Sequence, residues 1–199
     1  MASNSSFAFC RYLLKQGVFS YLDFFFVARL YTAFTLGKIS LHVLHERSFD
    51  RLFFGKQAAL FEKHIDLFLD KWLQKALYIP TIDYLRYYKS RRQPIAVFSN
   101  SPIFLVHAIC KRLGIKHAFG SHYDIDKQGN FCAITQVMDG ELKAKYFLEF
   151  ADNHMATERI AFSDQLQDLP FLQAATVAIV VQGKGKLKKI AKRAGWQLI

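Results

Sequence analysis

The hydrophobic pattern of the chain changes period partway along. From about Ser6 to Lys75, apolar residues recur three and four positions apart, as in Phe7-Ala8-Phe9…Tyr12-Leu13-Leu14 and throughout residues 50–77. That spacing predicts amphipathic helices, each with one apolar face turned to a core. Gly17 and Gly37 fit helix ends, and almost no strand pattern intervenes. Pro80 marks a break, after which short apolar runs alternate with helical stretches. Strands are predicted at 95–99, 116–121, 159–163 and 176–182, with a hairpin over 123–135 turning at Gln128-Gly129-Asn130. Helices are predicted at 81–92, 102–114, 140–154, 167–175 and 185–195. Strands alternating with helices imply a largely parallel sheet covered on both faces. The expected division is a helical region over 1–79 and an α/β region over 80–199.

One helical stretch needs its own decision. Val18–Leu36 is nearly all apolar and long enough to span a bilayer. Asp23 and Arg29 lie inside it, and each charge costs roughly 2.5–3.5 kcal/mol at a membrane centre. The expectation is a buried or amphipathic helix of a soluble protein, with a weak membrane-surface contact kept open.

Composition narrows the class. Of 199 residues, 52% are hydrophobic and 20 are Phe, which excludes a disordered chain. The net charge of +11 invites an anionic partner. Its densest run, GKGKLKKIAKRAG near the C-terminus, reads either as a solvated helix face or as a membrane or nucleic-acid contact. No specific nucleic acid is expected. Cys10, Cys110 and Cys132 are widely spaced and show no metal-ligand pattern, so reduced thiols and a cytoplasmic location are expected. The opening MASNSSFAFCRYLL has no basic leader-like start, and no signal peptide is expected.

Three polar clusters fall at predicted strand ends or helix starts, where parallel sheets bind ligands. In VFSNSP, Ser99 ends a strand, and Pro102 suits the first turn of the next helix. A hydroxyl beside free helix amides suits a phosphate; alternatively Asn100 or Ser101 caps the helix. In DGELKAKYF, Lys143 sits in a first helical turn, against the dipole, which fits either phosphate neutralisation or a solvated lysine. In SDQLQD, Asp164 and Asp168 are spaced to share a helical face. Such a pair suits a hard cation such as magnesium; alternatively Asp164 is a helix cap and Asp168 a surface acid.

Taken in order, these motifs resemble those of the haloacid dehalogenase (HAD) superfamily, in its phosphoserine-phosphatase-like branch with a helical cap. IAVFSNSPIFLVHAICKRLGI resembles the second motif of that branch, GELKAK the third and IAFSDQLQDLPFL the fourth. The resemblance implies a three-layer, Rossmann-like parallel sheet with the N-terminal helices as cap. It implies that Ser99 and Asn100 bind the phosphoryl group, together with Lys143 (Lys145 being the alternative). It implies that Asp164 and Asp168 organise magnesium, and that the substrate is a small phosphomonoester.

The family's first strand ends in Asp-x-Asp, whose first aspartate is the covalent nucleophile. The 199 residues show no such motif in that context; Asp124-Ile-Asp126 lies in the predicted hairpin. The first core strand is therefore expected to be missing, the chain to be truncated at its N-terminus, and the protein to be inactive as written. The alternative function is a non-catalytic, phosphate-ligand-binding protein. Ser163 also stands where the family usually has glycine, which is expected to crowd the strand–helix turn.

Overall fold

A computed structural model describes residues 4–199. Met1–Ser3, the beginning of the stretch read as lacking a leader, lie outside the described residues.

Four helices open the chain: α1 (Ser5–Lys15), α2 (Tyr21–Thr35), α3 (Leu41–Leu52) and α4 (Ala58–Ala76). Their starts follow from local chemistry. Asn4, Ser20 and Ser40 cap α1, α2 and α3 with side-chain oxygens, and Ser20 with Asp23 forms a reciprocal capping box. Gly17 and Gly37 sit at φ 71° and 70°, the left-handed conformation that ends α1 and α2.

After α5 (Ile79–Ser90) come β1 (Ala96–Pro102) and α6 (Ile103–Leu113). The hairpin is β2 (His117–Ile125) and β3 (Phe131–Gln136), paired antiparallel. Then follow α7 (Gly140–Asn153), β4 (Ile160–Ser163), a 3₁₀ turn at Leu166–Asp168, and α8 (Leu169–Gln173). The last elements are β5 (Val177–Val180), α9 (Gly185–Arg193) and β6 (Gln197–Leu198). The short strand expected at 116–121 and the first arm of the hairpin are one continuous strand, β2. Gly120, inside β2, lets that strand lie close to the end of β1, because a Cβ there would lie 2.8 Å from the Ser101 carbonyl oxygen.

The strands form two three-stranded sheets, ordered β1-β2-β3 and β4-β5-β6. The second is parallel throughout, with Ile160 to Ser163 registered on Val177 to Val180. No described strand pairs with both β1 and β4.

The residues fall into two compact units, Met1–Tyr78 with Ser99–Val137, and Ile79–Phe98 with Met138–Ile199. In the first, Phe9, Phe49, Phe61 and Phe68 from the helices and Phe53 just after α3 share one core with Leu105, Ile109, Tyr123 and Phe131. Phe53 is central: its ring lies 4.9 Å from Phe61, 5.5 Å from Tyr123 and 5.6 Å from Phe131. Tilted and edge-on rings at these separations add about 0.5–1.5 kcal/mol per pair beyond area burial. In the second unit, Phe147, Ala161, Phe171, Leu172, Ala178, Val180 and Leu187 make a smaller core against Phe98.

Of the two forms expected at Val18–Leu36, a buried or an amphipathic helix, the fully buried one is not found. Only Val27 and Leu30 of α2 are buried, while Tyr21, Leu22 and Phe25 are each more than two-thirds exposed. No helix among the described residues is long and apolar enough to cross a membrane.

Candidate active site

The second unit holds a buried ionic cluster. Asp139 caps α7 by accepting from the Leu142 N–H at 2.9 Å, and the helix turns Lys143 inward. The Lys143 ammonium lies 2.7 Å from Asp168 Oδ1, with 3% and 7% of the two residues exposed. The other oxygen, Asp168 Oδ2, accepts from the Ser163 hydroxyl at 2.7 Å. Ser163 Oγ in turn accepts the Gln165 N–H at 3.1 Å. Charge, carboxylate and hydroxyl are thus bonded in series inside the protein, which is what makes a buried ion pair tolerable. The lysine is not a solvated surface residue, and its unfavourable place in the first turn is offset by the carboxylate facing it.

Gly140 makes this approach feasible. A Cβ at that position would sit 2.0 Å from the Gln167 carbonyl oxygen. The start of α7 can therefore lie against the 3₁₀ turn only with glycine there. The sequence reading passed over Gly140. The available signal was an Asp-Gly pair opening a helix, where glycine costs about 1 kcal/mol relative to alanine and so serves something other than helix formation.

Asp164 and Asp168 do not share a helical face as expected. Asp164 lies in the bend that follows β4, exposed, while Asp168 closes the 3₁₀ turn and is buried. The chain leaves the strand through an extended Gln165 before turning, so spacing by four does not bring the two carboxylates together. Asp168 is neither a surface acid nor free for a cation on all sides, since both its oxygens are engaged. No ion pair or side-chain hydrogen bond reaches the Asp164 carboxylate among the described residues, which leaves it open to a hard cation. No group of three or more His, Cys, Asp or Glu side chains placed for a metal occurs among the described residues. Magnesium often takes only one or two carboxylates with water and phosphate, and this donor set fits that habit. Ser163 does not crowd the turn: its hydroxyl ties β4 to Asp168.

The second motif lies largely in the first unit. The Ser99 hydroxyl accepts the Ser101 N–H at 3.2 Å, and the Asn100 carbonyl accepts from the Ser121 hydroxyl at 2.8 Å. Ser101 Oγ is 2.9 Å from Ser5 Oγ and accepts from Ser6 Oγ at 2.8 Å. These bonds, not foreseen from sequence, tie the start of α1 to the end of β1. Neither Asn100 nor Ser101 caps α6. Its N-cap is Pro102, one position later than Ser101, and it makes no side-chain capping bond. An uncapped helix N-terminus retains amides that can meet an anion.

The first unit also buries His45, whose Nδ1 lies 2.9 Å from the Tyr123 hydroxyl. Burial, with His42 nearby, pushes the imidazole down to about 4, so it is neutral at pH 7. Burial likewise pushes the Tyr123 phenol up. This pair belongs to the aromatic core and has no place in the motifs above.

Comparison with known proteins bears on the fold and the family. No curated protein matches the sequence. Among solved structures, a protein of unknown function from Bordetella pertussis Tohama I superposes with a TM-score of 0.85 at 18% identity, covering 98% of this chain and 91% of that one. A HAD family hydrolase from Salmonella enterica serovar Typhi gives 0.73 at 17% identity, covering 100% of this chain and 63% of that one. A substrate-bound phosphoserine phosphatase gives 0.70 at 16% identity, covering 98% and 86%. At such identities these likenesses establish the fold. The model of the haloacid dehalogenase-like hydrolases matches residues 1–173, a span that takes in the serine motif, the lysine helix and the aspartate turn alike. The chain therefore belongs to the haloacid dehalogenase-like hydrolase family.

Proposed function

We propose that this chain carries phosphate-binding and cation-organising elements of a magnesium-dependent phosphatase for a small phosphomonoester. We also propose that the 199 residues alone bind phosphate without hydrolysing it. The observation that carries this reading is the buried Lys143–Asp168–Ser163 series. An ammonium has three donors, and one of Lys143's goes to Asp168, leaving others for an anion. Asp168 and Ser163 then act as positioning residues that hold the lysine, and the cation falls to Asp164. Ser99 contributes a hydroxyl and Asn100 an amide to the phosphoryl oxygens, as their motif implies. A bound magnesium ion would neutralise charge on those oxygens.

The non-hydrolysing part rests on the nucleophile. Covalent phosphoryl transfer needs an aspartate at a strand end, and Asp124 and Asp126 cannot serve. They lie on the hairpin, where Asp124 accepts from Thr135 and Asp126 from the Gln128 and Asn130 amides. Cys10, Cys110 and Cys132 form no disulfide among the described residues, and we read the setting as cytoplasmic.

The test is calorimetric titration of the purified chain with inorganic phosphate, with and without magnesium, beside a p-nitrophenyl phosphate assay. The expected result is magnesium-dependent phosphate binding, weakened by Ser99→Ala and Asp164→Asn, with no turnover. Adding an aliphatic strand that ends in Asp-x-Asp ahead of the 199 residues is expected to confer turnover. Absence of phosphate binding overturns the site. Turnover by the chain alone, lost in Asp164→Asn, overturns the non-hydrolysing part.

A further inference from the structure

Helix α2 is apolar on two sides. Val27 and Leu30 are buried in the first unit, beside α1 and α3. About a third of a turn away, Leu22, Phe25, Phe26, Arg29 and Leu36 follow helical spacing along the outer side, flanked by Tyr21. These are exposed side chains: Tyr21 73%, Leu22 74%, Phe25 67%, Phe26 40% and Leu36 65%. An exposed apolar stripe of this kind, interrupted by Arg29, marks an interaction surface.

From this stripe we infer that α2 docks the protein on an anionic lipid surface. Charge selects that occupant. Arg29 lies at the midpoint of the 22–36 stripe and is exposed. The only acid of α2, Asp23, is already bonded to Ser20 and to Arg51, the latter at 2.6 Å. Exposed Lys15 and Lys38 flank the helix in sequence, and no acid lies between Asp23 and Lys38. A second copy fits poorly. Two such stripes paired antiparallel about a two-fold axis would set Arg29 against Arg29, with no carboxylate on the stripe to separate them. A bilayer interface supplies apolar chain for Leu22, Phe25 and Phe26 beside phosphate for Arg29. The helix has 15 residues and is about 22 Å long, shorter than a hydrocarbon core, so it lies on the surface and does not span it.

The experiment is co-sedimentation of the full chain with vesicles of phosphatidylcholine alone and of phosphatidylcholine with phosphatidylglycerol. Binding to the mixed vesicles is expected, falling with added salt. Leu22→Ser with Phe25→Ser is expected to lower it by roughly a hundredfold, at about tenfold per side chain. Arg29→Ala is expected to lower it about fivefold on mixed vesicles and to leave neutral ones unaffected. Because all three side chains are exposed, the variants should keep the parent's circular dichroism and melting temperature, and Phe25→Tyr gives a second, milder variant. Equal binding to neutral vesicles overturns the anionic preference. No vesicle binding, or a concentration-dependent dimer abolished by the same substitutions, overturns the lipid assignment. Neither outcome bears on phosphate binding, since none of these residues belongs to that site.

Discussion

Breaking the buried ion pair by Asp168→Asn leaves the Lys143 ammonium, 3% exposed, without its counter-charge. The single amide oxygen can still accept the Ser163 hydroxyl, but the NH2 then faces the ammonium, so the change removes the counter-charge together with the Lys143 hydrogen bond. Removing one member of a buried pair costs about 3–5 kcal/mol, because the other charge stays desolvated. For a chain of this length, 1 kcal/mol shifts the melting temperature by about 2–4 °C, so a fall of about 12 °C is expected. Lys143→Met strands the carboxylate instead and should cost a similar amount. Replacing both, with Lys143→Met and Asp168→Leu, removes charge and counter-charge together. Pairs exchanged for apolar residues are often neutral, so the double variant should melt near the parent. Calorimetric melting of the four proteins closes the cycle. If Asp168→Asn melts within about 2 °C of the parent, or if the double variant falls by the sum of the singles, the two groups are not coupled and the account of this cluster is wrong.

Three other expectations follow from particular residues. Gly140→Ala should destabilise by about 1–3 kcal/mol despite better helix propensity, because its Cβ would meet the Gln167 carbonyl at 2.0 Å; a raised melting temperature would refute the close approach. His45 is held at about 4 in the folded protein against 6.5 unfolded, so the unfolded chain binds the extra proton between those values. Stability should therefore fall as pH drops from 6.5 towards 4, by about 3 kcal/mol in total, and a urea midpoint followed over that range in His45→Gln should lose this component. Thiol labelling of the native protein should find exposed Cys132 at once but Cys110 only on unfolding, since burial pushes the latter's thiol up to about 11; Cys132→Ser should remove the fast phase.

How much was legible in the sequence follows the range of the forces involved. Periodicity and caps are local, so the helical character of 6–75, the turn of the hairpin and the alternating elements after Pro80 could be read directly, whereas the break between α3 and α4 inside 50–77 and the length of β2 could not. Gly114 ends α6 at φ 61°, as its place after Leu113 predicts. Lys143 and the aspartates could be singled out as candidates because a first-turn cation and closely spaced acids are local conflicts. What the sequence left open was their partner. Whether Lys143 faces water, a phosphate or a carboxylate depends on where residue 168 arrives, 25 positions later, and on Gly140 allowing the approach.

Spacing by four placed Asp164 and Asp168 together only on the assumption of a helix. An extended Gln165 and a 3₁₀ turn separated them, and that geometry answers to the packing of α7 on the turn. The exposed side of α2 was hidden for the same reason. Leu22, Phe25, Val27 and Leu30 are alike as apolar residues, and only the positions of α1 and α3 decide which of them meets protein and which meets solvent. The sequence alone determined the elements and the kinds of chemistry available, because both depend on near neighbours. The tertiary structure decided which charge neutralises which and which apolar face stays uncovered, because burial is settled by residues far apart in the chain.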